Sequence, residues 1–266
     1  MRYTTTSDGC RLAWRRDGAA AGPPVLFCNS IGTGLELWDP QVLDLQHDFD
    51  IVRFDTRGHG RSDAPDGDYD LPNLARDAIQ VLDAAGLGRA NICGISMGGL
   101  VAMRLALDAP HRVRRLVLAD TAARIGTAQS WEQRRDTVVK GGTAAIADTA
   151  MKRFFSPEVR DRRPETVTRF RQALLATSAA GYAGCCAALR DADLTHDVDR
   201  IDAPTLVIAG LGDISTTPAQ LRDLAGAITG SQLVELNAAH LSNVELPMEF
   251  SRQVGSFFRR PDVDEA

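Results

Sequence analysis

Short, continuously apolar runs alternate along this sequence with longer stretches of helical period. PVLFCNS, DIVRFDT, RANICGIS and RVRRLVLAD read as buried strands, each short and bounded by Pro, Gly, Asp or Arg. Between them, LPNLARDAIQVLDAAGL carries Leu74, Ala78, Leu82 and Ala85 on one stripe, and MGGLVAMRLALDAP reads as a helix stopped by Pro110. Strands without a polar face, alternating with helices, predict a mostly parallel sheet flanked by helices, an α/β fold. From about Thr121 to Asp197 the alternation lapses. AQSWEQRRDTVVK, TAAIADTAMKRFF, PETVTRFRQALLAT and GYAGCCAALRDAD each read as helical there, punctuated by Gly141-Gly142, Pro157, Pro164 and Gly181. It resumes with strand APTLVIAG, helix PAQLRDLAGAI, strand QLVELNA and a last helix over PMEFSRQVGSFF. The expected organisation is one core built from 1–120 and 198–266, interrupted by an all-helical cap over 121–197.

The net charge of −5, from 30 basic and 35 acidic residues, hides a contrast. The helical block holds 12 Arg and Lys against 9 Asp and Glu, a net of +3, which leaves −8 on the remainder. A net-negative chain is a poor binder of phosphate backbones, so no nucleic-acid partner is expected. No apolar run approaches about 18 residues and the N-terminus lacks an apolar leader core, so neither a membrane partner nor a signal peptide is expected. The five cysteines, Cys10, Cys28, Cys93, Cys185 and Cys186, are odd in number and irregular in spacing. That suits free thiols in a reducing compartment and predicts a cytoplasmic location. The adjacent Cys185 and Cys186 lack metal-ligand spacing and read as small packing residues on a helix.

Chemistry concentrates at Gly94-Ile95-Ser96-Met97-Gly98, a G-x-S-x-G sequence set between a predicted strand and a predicted helix. The spacing suits a tight strand-to-helix turn that lifts the Ser96 hydroxyl above the sheet edge. A serine nucleophile needs a base and an acid that orients it, in the chain order Ser, Asp or Glu, His. His240 follows the last strand and Asp213 follows the strand TLVIAG, which makes Ser96, Asp213 and His240 the candidate catalytic set. Asp120, which also ends a strand, is the rival acid. Asp55 precedes Ser96, and its loop reads as structural. His47, His59, His111 and His196 lack the placement of a base and read as solvated or loop residues. The oxyanion of a tetrahedral intermediate needs two donors. These are expected from the backbone N–H groups of Met97 and Ile31, with Ser30 the next choice.

Several stretches go beyond this motif: CNSIGTGLELWDPQ, FDTRGHGRSDAPDGDY, CGISMGGL, DTAARIGTAQSWEQR, ATSAAGYAGCCAALRDADL and NAAHLSNVE. Together they resemble the 3-oxoadipate enol-lactonases of bacterial aromatic catabolism, within the α/β-hydrolase superfamily. The second and third stretches are shared widely in that superfamily. Those from the cap discriminate better. The resemblance covers nearly the whole chain. The acid loop departs from it, because members often read D-x-x-T-P-P and this chain reads Asp213-Ile214-Ser215-Thr216-Thr217-Pro218. The resemblance implies an α/β-hydrolase fold with a helical cap inserted after the sixth strand. It also implies a small anionic lactone as substrate, acyl-enzyme chemistry and no metal or organic cofactor. The carboxylate of such a substrate directs attention to the positive cap. Trp131 and Arg134, three residues apart on a helix, are expected to wall the pocket and clamp the carboxylate, with Arg124 and Ser30 as further substrate-binding candidates. Arg135 also lies near the cap entrance. A homo-oligomer is compatible with the sequence. The alternatives are another capped hydrolase (an esterase, another lactonase or a cofactor-free perhydrolase) and a non-catalytic receptor for a small lactone.

Overall fold

The computed structural model describes residues 1–260, so the final part of the predicted core segment, 261–266, lies outside the described residues. Eight strands form one sheet: β1 Arg2–Thr5, β2 Arg11–Gly18, β3 Pro24–Cys28, β4 Asp50–Phe54, β5 Ala90–Ile95, β6 Val113–Ala119, β7 Thr205–Gly210 and β8 Gln232–Leu236. Their order is β1-β2-β4-β3-β5-β6-β7-β8. The pairs β1/β2 and β2/β4 are antiparallel and every other neighbouring pair is parallel.

The burial of each strand follows its sequence. All residues of β4, β5 and β7 are buried, as a strand covered on both faces requires. The antiparallel end, where β2 keeps Arg11 and Arg15 toward water and Arg16 pairs with Asp50, has no counterpart among the apolar runs of the sequence. The covering helices in the core are α1 Asp39–Leu45, α2 Leu71–Ala84 and α3 Met97–Asp108 before the cap segment. Between β6 and β7 come α4 Ala128–Gly141, α5 Ala147–Phe154, α6 Pro157–Arg162, α7 Pro164–Ala176 and α8 Ala179–Asp191. After β7 come α9 Pro218–Ala227, α10 Ser242–Glu245 and α11 Pro247–Phe258. Helix α2 buries Leu74, Ala78 and Leu82 on the predicted stripe, and Asp70 caps it by accepting the Asn73 N–H at 2.7 Å.

The strand order sets the place of the site. The chain leaves β3 for β4 on one side and returns to β5 on the other side of β3. The loops after β3 and β5 therefore diverge at the carboxyl ends of neighbouring parallel strands, where a crevice opens in a doubly wound sheet. Helix α8 packs across this end, its Gly181 against the backbone of Gly58, and the Tyr69 N–H donates to the Gly184 carbonyl at 3.2 Å.

Candidate active site

Ser96 stands at the turn between β5 and α3 with φ 56° and ψ −120°, one of two non-glycine residues with positive φ among those described. Such a conformation persists only where its surroundings enforce it. The Ser96 N–H donates to the Ala119 carbonyl at 3.0 Å, and the Thr121 hydroxyl donates to the Ser96 carbonyl at 2.7 Å. The two glycines of the motif answer to close packing. A Cβ on Gly94 would collide with the Gly98 carbonyl, and one on Gly98 with the Cys28 carbonyl at the end of β3. Met97 opens α3, so its N–H has no partner within the helix and stands at the positive helix end.

His240 and Asp213 are both buried, and His240 Nδ1 lies 2.7 Å from Asp213 Oδ2. Against a carboxylate Nδ1 must carry the proton, which leaves Nε2 as the acceptor. Asp213 takes more than this one bond. Its Oδ1 accepts the Ser215 N–H at 2.7 Å and the Thr216 N–H at 3.2 Å, and its Oδ2 accepts the Thr216 hydroxyl at 2.6 Å. Burial opposes its ionisation, but the charge and hydrogen bond of His240, with those of Thr216 and Ser215, hold the carboxyl below the ordinary carboxylate value. For His240 burial acts downward and Asp213 acts upward; the aspartate prevails, and the imidazole titrates above its ordinary value. The altered acid loop thus keeps its hydrogen bonds on Asp213.

Asp120 is turned elsewhere. Its Oδ1 accepts the Gly210 N–H at 2.8 Å, and its Oδ2 accepts the Ser242 N–H at 3.2 Å and hydroxyl at 2.6 Å. It ties the end of β7 to α10 behind His240. Burial, reinforced by the neighbouring Asp213, pushes its carboxyl up to about 7.

The loop after β3 is braced on three sides. The Asn29 amide donates to the Phe54 carbonyl at 2.7 Å, the Thr33 hydroxyl donates to the Ser30 carbonyl at 2.7 Å, and the Gly32 N–H donates to His59 Nε2 at 2.9 Å. Ile31, at its crest, lines a cavity of about 500 Å³ together with Ser96, His240, Trp131 and Arg134. Trp131 is fixed by its indole N–H, which donates to the Ile125 carbonyl at 2.5 Å, and Arg134 lies over its ring at 5.1 Å. The floor of this cavity is the carboxyl end of the sheet and its roof is the helical segment between β6 and β7. Among the described residues no group of three His, Cys, Asp or Glu is placed to hold a metal ion.

Comparison with known proteins agrees with this geometry. A family model described as alpha/beta hydrolase fold matches residues 23–247. The chain belongs to the α/β-hydrolase family. It is 40% identical to 3-oxoadipate enol-lactonase 2 of Acinetobacter baylyi, over 98% of this chain and 97% of that protein. Its structure superposes with a TM-score of 0.95 on a hydrolase from Pseudomonas aeruginosa PA01, at 43% identity over 97% of this chain and 98% of that one. The TM-score is also 0.95 with the enol-lactonase from Burkholderia xenovorans LB400, at 39% identity over 97% of this chain and all of that one.

Two of the substrate-binding candidates are not brought to the cavity of this hydrolase. Arg124 is exposed and paired with Asp193 Oδ2 at 3.0 Å, on the outer side of the cap. Ser30 is buried beneath the loop crest, with its carbonyl engaged by Thr33 and its hydroxyl hydrogen-bonded to nothing among the described residues. Arg135 is bound outward as well, to Asp68 at 3.1 Å and Glu132 at 3.2 Å. The sequence reading also misses residues. His59 lies in a loop, as expected, but is not solvated: it is buried, its Nδ1 lies 3.2 Å from the Arg57 carbonyl, and burial drops its pKa to about 4. Thr216 braces the acid. Arg153 and Tyr182 line the cavity, and no local motif marks either of them. Exposed His47, His111 and His196 and the five buried free cysteines stand apart from it.

Proposed function

We propose that this hydrolase opens 3-oxoadipate enol-lactone to 3-oxoadipate through an acyl-enzyme on Ser96. That it is an enzyme acting on ester bonds, with a place in the β-ketoadipate pathway, follows from its family and its full-length likeness to enol-lactonases. The observation that carries the finer reading is one cavity lined at once by Ser96, His240, Trp131 and Arg134.

In this mechanism His240 takes the hydroxyl proton of Ser96 as its oxygen attacks the lactone carbonyl. The N–H groups of Met97 and Ile31 receive the oxyanion. Asp213, held ionised by its four donors, keeps His240 in the tautomer that accepts the proton and stabilises the imidazolium. Collapse breaks the ring C–O bond. The leaving oxygen is an enolate, much less basic than an alkoxide; the His240 imidazolium returns the serine proton to it, and the resulting enol tautomerises to the ketone. Water, deprotonated by His240, then releases the acyl group. The carboxylate of the lactone is received by Arg134, whose guanidinium is held over Trp131.

Incubation of the pure protein with enol-lactone tests the proposal. The ultraviolet absorbance of the lactone should disappear over many turnovers, with 3-oxoadipate as product. Stoichiometric binding without turnover would overturn it in favour of a receptor. Replacing Arg134 by Ala should lower the ratio of kcat/KM for the charged lactone to kcat/KM for its methyl ester by about tenfold, chiefly through KM. An unchanged ratio would remove Arg134 from substrate recognition.

A further inference from the structure

The ten arginines of the cap differ in surroundings; Arg160, Arg163 and Arg169 lie away from the cavity, Arg163 bonded to the Val244 and Glu245 carbonyls and Arg169 over the Phe170 ring. Arg124, Arg135, Arg162, Arg171 and Arg190 each pair with a carboxylate on the outer surface. Arg134 and Arg153 have no ion pair and no hydrogen bond among the described residues, and both line the cavity above Ser96. Arg153 sits in the last turn of α5, next to Phe154. The Phe154 ring stacks on His240 at 6.2 Å, and its carbonyl accepts the Leu241 N–H at 3.1 Å. A third polar group joins them. Tyr182 of α8 is 2% exposed and lines the same cavity, and its hydroxyl finds no hydrogen-bond partner among the described residues.

The three groups feel one another. Burial first, and then the charge of Arg134, disfavour the charged form of Arg153. Burial raises the Tyr182 phenol, against the pull of Arg134 and Arg153. Arg134 and Arg153 line one cavity with no counter-ion beside them among the described residues, and an anion seated there would offset their repulsion. A carboxylate fits, because each guanidinium presents planar paired donors and the phenol adds one more.

We propose that Arg153 and Tyr182 complete, with Arg134, a carboxylate receptor in the cap that recognises the far end of an acyl chain. The enzyme then also hydrolyses open-chain hemiesters of short dicarboxylic acids. The inference rests on the Ser96 acyl-enzyme of the proposed function. The ring-opened acyl group keeps its carboxylate, so a hemiester reaches an acyl-enzyme of the same form. In that reaction the Ser96 Oγ–acyl bond forms and the acyl C–O bond to the alcohol breaks. His240 passes the serine proton to the departing alkoxide. Water then cleaves the acyl-enzyme, giving the dicarboxylate and regenerating the serine hydroxyl.

Kinetics with monomethyl and dimethyl esters of glutaric and adipic acids test this. The readout is the ratio of kcat/KM for monoester to diester, in wild type and in Arg153→Met, Arg153→Lys and Tyr182→Phe, each checked for folding by circular dichroism. Wild type should prefer a monoester by about tenfold or more, with Arg153→Met lowering the ratio about tenfold through KM and Tyr182→Phe about threefold. Arg153→Lys should recover part of the loss. A wild-type ratio near one, or a ratio unchanged in Arg153→Met, would overturn the receptor. If the monoester preference holds while enol-lactone is not turned over, the lactone reading fails and the receptor stands. If enol-lactone is turned over without any monoester preference, the reverse is true.

Discussion

His240 and His59 are both buried histidines at the same end of the sheet, and their environments drive them in opposite directions. Asp213 raises His240 above the ordinary imidazole value in spite of burial. In the proposed role of base it must be neutral, so kcat/KM should climb with pH through a midpoint above about 6.5. Asp213→Asn should move that midpoint down and lower kcat by about 10³–10⁴-fold, measurable in one set of pH–rate profiles. A midpoint left in place would detach Asp213 from His240. His59 has no carboxylate; it accepts the Gly32 N–H, so it must stay unprotonated to hold the loop that carries Ile31. Its pKa is about 4 folded and about 6.5 unfolded, so its contribution is complete above pH 6.5 and is lost as pH falls through 4. The loss amounts to about 3 kcal/mol. Urea midpoints measured from pH 7 to 4 should therefore fall less steeply in His59→Gln than in wild type. Equal slopes would show that His59 does not supply this dependence. Position after the last strand marks His240 in the sequence, whereas the burial of His59 depends on groups folded over it from elsewhere and leaves no local sign.

At the level of elements, what is legible depends on whether a local pattern decides the outcome. The inner strands β3 to β7 read as continuous apolar runs because both of their faces are covered. The hairpin β1–β2 does not, because Arg11 and Arg15 are exposed, Arg16 pairs with Asp50 of β4, and β2 is fixed by pairing with β4. The interruption between β6 and β7 is visible as a loss of strand signal, yet α6 goes unread within the turn that Ser156 and Pro157 begin. Ser96 is legible because a turn of this strain needs glycines on either side of it. Arg124 misleads because nearness in sequence to the cap entrance says nothing of Asp193, its partner 69 residues away. Arg153 is illegible for the converse reason: only the folding of α5 over the sheet turns it toward Ser96. The packing of α8 on the core yields an element-level prediction. Ala in place of Gly181 would favour a helix by about 1 kcal/mol, but its Cβ would run into the Gly58 backbone. Overpacking of this kind costs about 1–3 kcal/mol, so Gly181→Ala should lower the thermal midpoint and, by displacing Tyr182, raise KM. An equal or higher midpoint would mean that the cap does not rest on this contact.

For the molecule as a whole, the charge contrast and the cavity belong together. The acidic core carries Ser96, the proposed nucleophile, and the basic cap supplies Arg134 and Arg153 to the cavity proposed to receive the anionic lactone. Attraction of this kind is screened by salt, with a Debye length of about 10 Å at 0.1 M. Raising NaCl from about 0.02 to 0.5 M should reduce kcat/KM for the charged lactone more than for its methyl ester, whereas parallel curves would show that the cap charge plays no part in capture. Among the described residues no single helix is long and apolar enough to cross a membrane. The central claim is that Ser96 forms the acyl-enzyme with enol-lactone, and multiple-turnover decay of the lactone absorbance in Ser96→Ala tests it most directly. The rate should fall about 10⁴-fold or more against wild type, while the variant still binds the lactone. A variant that retains turnover near the wild-type rate would contradict the mechanism.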